Sequence, residues 1–171
     1  YLSLLPFFYK VVALLMVYVF TIFMPTTLIR LYNSYHGWTP SELGSRERRI
    51  IPYVVSILCY FLCYYLMTLR HMPHLMGSIV VTALATQVMC AMINMWWKIS
   101  VHMAAIGAMA GSLGSFAVIF MFNPVAWLCV IILLAGLIGS ARMILRQHTL
   151  PQIYVGFIIG VIIGFITVMV V

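Results

Sequence analysis

"PQIYVGFIIGVIIGFITVMVV", Pro151 to Val171, runs for 21 residues without a charged side chain. At a rise of about 1.5 Å per residue, a helix of that length reaches roughly 30 Å, the thickness of a bilayer's hydrocarbon core. Polar and apolar residues do not alternate in it as they would in a barrel strand. In lipid a segment must satisfy its own backbone N–H and C=O groups, which a helix does. Windows of about 20 residues, read outward from this stretch, give six spans. They cover residues 8–29, 51–69, 74–95, 100–121, 124–145 and 151–171. The expected fold class is all-α: a polytopic membrane protein, a six-transmembrane-helix bundle forming a single domain over residues 1–171.

Composition agrees. Of 171 residues, 65% are hydrophobic and 6% charged, and the mean hydropathy is +1.17, outside the range of soluble domains. Cys59, Cys63, Cys90 and Cys129 all fall in apolar runs and read as buried free thiols rather than a disulfide framework. The formal net charge of +7 sits beside spans and not in a basic soluble domain, which excludes nucleic acid and points to lipid phosphate. The chain opens on Tyr1, so an N-terminal piece is expected to precede it, and no cleavable signal pattern is visible.

The long connection is "RLYNSYHGWTPSELGSRERRIIP", Arg30 to Pro52, expected at the interface with Tyr32, Tyr35 and Trp38 at headgroup depth. Arg46, Arg48 and Arg49 alternate there with Glu47 as solvated or headgroup-contacting charge. The remaining joints are tight. Gly107 and Gly111 on the fourth span, and Gly156, Gly160 and Gly164 on the sixth, recur every four residues and mark faces where backbones approach closely. Six spans put Arg30, Arg46, Arg48, Arg49, Lys98, Arg142 and Arg146 on one side and Lys10 and Arg70 on the other. The positive-inside rule assigns the first side to the cytoplasm. The expected location is a bacterial inner membrane.

Against this background "SARMILRQHTLPQ", Ser140 to Gln152, stands out. Ionisable residues at membrane depth are costly and point to function. Arg142 and His148 flank the joint between spans five and six, and Pro151 suits a first helical turn. His148 and Gln152 are four apart, so an early helix start would let the amide orient the imidazole. On the same side "KISVH" opens span four with Lys98, Ser100 and His102, where Lys98 and His102 are also four apart beside a helix N-terminus suited to an anion. Cations, a helix N-terminus and two histidines are equipment for phosphoryl transfer: neutralising the oxygens, attacking phosphorus and protonating the leaving group. No metal and no cofactor is called for. Arg146 reads as a snorkelling anchor, and His71 and His74 of "RHMPH" as structural. Gln87, Thr82 and Thr86 on span three are too few to line a transport path, and hydrogen bonds between helices account for them.

These residues resemble the type 2 phosphatidic acid phosphatase superfamily of membrane lipid phosphatases, whose signatures are K-x6-RP, PSGH and SR-x5-H-x3-D. "ISVH", Ile99 to His102, is similar to the second, and "ARMILRQHTLPQ", Ala141 to Gln152, to the third, with the Arg142 to His148 spacing intact. The resemblance implies a hydrolase of phospholipid metabolism. In it His148 is the nucleophile forming a phosphohistidine, His102 the general acid, and Arg142 and Ser100 phosphate ligands. Lys98 stands in for the first signature. Ala141 replaces Ser, Val101 replaces Gly, Ile99 replaces Pro, and Gln152 replaces the Asp that orients the nucleophile. The expected substrate is a lipid phosphate monoester or isoprenyl diphosphate. The alternative is a weak or inactive member of the same fold that binds phosphorylated lipid or serves as an assembly partner. Expected partners are that lipid and the bilayer, with homo-oligomerisation left open.

Overall fold

A computed structural model describes residues 7–35 and 46–171, and the side chains of residues 7, 9 and 46–50 fall outside the description. The described residues are helical, with no strand among them: α1 (Phe7–Tyr18), a π-helical turn (Val19–Phe23), α2 (Met24–Tyr35), α3 (Arg46–Leu69), α4 (His74–Trp96), α5 (Val101–Phe120), α6 (Val125–Ile144) and α7 (Leu150–Val170). Six segments are long and apolar enough to cross a membrane: Lys10–Tyr35, Ile51–Leu69, His74–Trp96, Val101–Phe120, Val125–Ile144 and Leu150–Val170. The protein is a multi-pass, all-α integral membrane protein. Its contacts divide it into two compact units, Tyr1–Val80 and Val81–Val171.

The first span corrects the sequence reading, which ended it at residue 29. Pro25 has no N–H to give and would ordinarily break the helix. The helix instead widens into the π turn, where Met24 N–H donates to Val19 O. Thr26 Oγ1 then bonds Ile22 O at 2.7 Å and Thr27 Oγ1 bonds Phe23 O at 2.8 Å. These bonds tie the turn after the proline back to the turn before it, and α2 continues to Tyr35. The connection from Arg30 to Pro52 shrinks accordingly, because α3 already begins at Arg46. Trp38 and the side chains of Arg46, Glu47, Arg48 and Arg49 lie outside the described residues. In this unit Cys63, Met67 and Val80 form a buried cluster lined by Met16, Val17 and Phe20. At the end of α3, His71 takes φ 49°, and Met72 N–H reaches back to Met67 O at 3.1 Å. His71 is the left-handed residue that ends a helix.

In the second unit α5 packs along the length of α7 and, more lightly, against α6. The glycine stripes explain the closeness. A Cβ placed on Gly160 would stand 2.0 Å from Ala104 O, on Gly164 2.2 Å from Ala108 O, and on Gly107 2.1 Å from Phe157 O. The two backbones touch, and only glycine fits. Lipid is as apolar as the side chains, so this seam is held by van der Waals approach and not by a hydrophobic drive. At one end Ser115 Oγ donates to Phe165 O at 2.7 Å; at the other, Ser100 N–H donates to Gln152 O at 3.3 Å. Near that second end Met103, Ala135 and Ile153 join α5, α6 and α7 in a buried cluster. The hydroxyl of Thr86 on α4 bonds its own helix at Thr82 O, 2.7 Å away, and not a neighbouring helix as expected. Cys59, Cys63 and Cys90 are buried free thiols as expected, but Cys129 is free and exposed on the surface of α6.

Candidate functional site

Three short segments meet above the Met103–Ala135–Ile153 cluster: the turn into α5, the end of α6, and the turn into α7. The cluster residues adjoin the polar ones in sequence, Met103 after His102 and Ile153 after Gln152. The packing of the seam therefore sets the positions of the polar groups.

The turn into α5 is shaped by Asn94. Its Nδ2 donates to Cys90 O at 2.9 Å and its Oδ1 accepts Ile99 N–H at 3.2 Å, which holds the chain as it leaves α4. Ser100 follows at the N-cap of α5 in extended backbone, and its side chain makes no cap hydrogen bond. It is fully buried, and its Oγ has no partner among the described residues. A buried hydroxyl without a partner costs about 1–3 kcal/mol, so Ser100 Oγ keeps hydrogen-bonding capacity that the described residues do not use. His102 lies on the first turn of α5 and is exposed. Lys98 precedes the helix, so it shares no helix face with His102, contrary to expectation. It reaches instead across to Gln147 O, 2.5 Å away.

The end of α6 is a helix-terminating turn with Arg146 in the left-handed region at φ 51°. Arg146 N–H donates to Met143 O at 2.9 Å and Gln147 N–H to Arg142 O at 3.1 Å. Those two bonds define a Schellman motif, a position glycine usually fills. Arg146 is exposed. Arg142, half-buried one turn earlier, donates from Nη1 to Gln147 Oε1.

The turn into α7 holds His148. The helix starts at Leu150, with Thr149 as N-cap and Pro151 in the first turn. His148 and Gln152 therefore do not share a helix face; the amide folds back over the cap. Its Oε1 accepts Thr149 N–H at 3.1 Å and lies 3.3 Å from His148 Nδ1. The Thr149 bond identifies that amide atom as the oxygen, since an NH₂ there would face another donor. His148 Nδ1 must then carry the proton, and Nε2 keeps its lone pair. Burial pushes the imidazole below its ordinary value of 6.5; the hydrogen bond to Gln152 opposes this, and the charges of Lys98, Arg142 and His102 add to the lowering.

His148 hydrogen-bonds Gln152 and lies within electrostatic reach of Lys98, His102 and Arg142, so these side chains share one rim, and Ser100 is tied to Gln152 through the backbone. Three contributors were not singled out from sequence: Asn94, Gln147 and Thr149. For Thr149 a signal existed, since T-x-x-Q over Thr149 to Gln152 is the pattern of a capping box. No family model, no curated protein and no solved structure matches the chain.

Proposed function

We propose that the protein is a membrane phosphatase that hydrolyses a lipid phosphate monoester or isoprenyl diphosphate in a bacterial inner membrane, akin to the type 2 phosphatidic acid phosphatases. The observation that carries the reading is the state of His148. Its Nδ1 is held by Gln152, its Nε2 is the basic nitrogen, and three potential cations surround it. Lys98, Arg142 and Ser100 Oγ would hold the phosphoryl oxygens. His148 Nε2 attacks phosphorus as the P–O bond to the lipid breaks, and protonated His102 gives its proton to the departing oxygen. Water then attacks the phosphohistidine with neutral His102 as base, the N–P bond breaks, and inorganic phosphate leaves.

The test is phosphate release from a panel of detergent-solubilised lipid phosphates. His148→Ala is expected to abolish turnover, and His102→Ala to lower it by about 10²–10⁴-fold. Equal rates for wild type and His148→Ala would remove the enzymatic reading.

One observation favours a second reading, a binder of phosphorylated lipid or an assembly partner with little or no turnover. Gln152 Oε1 is already engaged by Thr149 N–H, as a helix cap requires. A neutral amide also stabilises an imidazolium less than a carboxylate does; in serine proteases the corresponding loss of charge costs about 10⁴ in rate.

A further inference from the structure

Two oxygens of one residue meet both cations of the rim. Gln147 follows the left-handed Arg146, and its N–H is fixed to Arg142 O at 3.1 Å. Its carbonyl accepts Lys98 Nζ at 2.5 Å, while its side-chain Oε1 accepts Arg142 Nη1. The two acceptors differ in freedom. The carbonyl belongs to a backbone locked by the helix-ending bonds, whereas the amide is at the end of an exposed side chain.

Arginine recognises phosphate with parallel N–H donors, so an oxygen seated on Nη1 uses a donor that an incoming anion needs. A phosphate oxygen carries a negative charge that the amide oxygen lacks, so it adds Coulomb attraction to the guanidinium and a second parallel bond, and phosphate can displace the neutral amide. In the Arg142 to His148 spacing Gln147 is one of the five intervening residues, and no signature residue falls on it.

We infer that Gln147 sets the affinity of the anion site: its side-chain amide stands in for a phosphate oxygen on Arg142 and is displaced when phosphate binds, while its backbone carbonyl keeps Lys98 in place. The inference rests on Lys98 and Arg142 being phosphate ligands. Removing the stand-in frees the guanidinium without disturbing the carbonyl, so affinity rises. Converting it to a carboxylate gives Arg142 a permanent internal anion, and affinity falls.

The experiment is calorimetric titration of the full chain in detergent with two probes, inorganic phosphate and a short-chain phosphatidic acid. Gln147→Ala and Gln147→Met, which keeps the length and loses the acceptor, are each expected to lower Kd by about 2–10-fold, the worth of one net hydrogen bond. Gln147→Glu is expected to raise Kd more than tenfold. Thermal unfolding of each variant checks that it remains folded. Tightening with both probes supports the inference for any phosphate, and tightening with the phosphatidic acid alone supports it for a lipid headgroup. If wild type binds phosphate and Arg142→Ala does not, but Gln147→Ala and Gln147→Met bind with equal or weaker affinity, the stand-in role is overturned and the anion site survives. If wild type binds neither probe, the anion site falls, and the inference with it.

Discussion

Two serines, one at the N-cap of α5 and one within it, are both fully buried, and they have opposite fates. Ser115, toward the far end of the α5–α7 seam, donates to Phe165 O at 2.7 Å. Ser100, at the near end, is as deeply buried, yet its Oγ has no partner among the described residues. Between them the seam is backbone against backbone, so neither end can shift to suit itself. A buried hydroxyl is normally satisfied, and the far end follows that rule. The near end departs from it at the place where Lys98, Arg142, His102 and His148 gather. The same interface acts as glue at one end and leaves hydrogen-bonding capacity unspent at the other, beside its only cluster of charge among the described residues.

The comparison depends first on the seam. Gly160→Leu would drive a branched side chain into a gap where even a Cβ stands 2.0 Å from Ala104 O. Overpacking ordinarily costs about 1–3 kcal/mol, and here the obstacle is backbone, so a loss at or above the top of that range is expected. The measurement is unfolding in detergent together with phosphate binding, and both should fail. Gly136→Ala is the control, because a Cβ there meets nothing within 4 Å, and the change should be neutral or slightly stabilising through helix propensity. Equal effects of the two substitutions would mean that the seam does not hold the site.

The next largest effect concerns His148. Its pKa is lowered by burial and by neighbouring charge, so it remains neutral to lower pH than a free histidine. In the proposed reaction neutral Nε2 is the attacking form. Therefore kcat/KM should fall as pH drops through this pKa, with the midpoint of that acid limb below the ordinary 6.5, and fall again at higher pH as His102 loses the proton it gives to the leaving oxygen. Gln152→Asp places an anion beside Nδ1 and stabilises the imidazolium, which should move the acid limb up by about one to three pH units. Turnover should rise as well, and the gain should vanish in a His148→Ala background. An acid limb that stays in place in Gln152→Asp would separate residue 152 from the chemistry. Weaker phosphate affinity with no activity in either protein would favour the silent binder.

The spans were legible because length and apolarity alone determine them, and five of the six expected spans end within a residue of the membrane-crossing segments observed. The first was misjudged because Pro25 and Arg30 look like an ending, whereas the helix passes them through a π turn that no periodicity announces. The glycine faces could be read from spacing, but not their mating, since a small-residue stripe does not name the helix it will touch. At the site the titratable residues were readable as costly intrusions in lipid. Their supports were not: Asn94 looks like one more polar residue near a helix end, and Gln147 owes its place to a left-handed turn at Arg146, where no glycine marks the spot. Lys98 and His102 were paired by a helical spacing that does not apply, because α5 begins at Val101.

The smallest effects test the comparison most directly. Ser115→Ala removes a satisfied buried hydroxyl and its bond to Phe165 O, so stability should fall by about 0.5–1.5 kcal/mol while phosphate affinity is untouched. Ser100→Ala removes a hydroxyl that gains nothing from the folded protein, so stability should hold or rise by up to about 1 kcal/mol, because an unpartnered buried group is a cost that alanine does not carry. Phosphate affinity should instead fall by about 2–10-fold, the worth of one lost ligand hydrogen bond. Each substitution thus predicts a loss in one measurement and no loss in the other. The two variants are best read by unfolding and by phosphate titration on the same samples. Parallel losses of stability would make Ser100 a second structural hydroxyl, and the contrast between the two ends of the seam would then carry no functional meaning. Opposite responses would mean that the hydroxyl at the near end is held unpaired for an anion, since a group that costs the fold and strengthens a ligand's grip is retained only where the ligand binds.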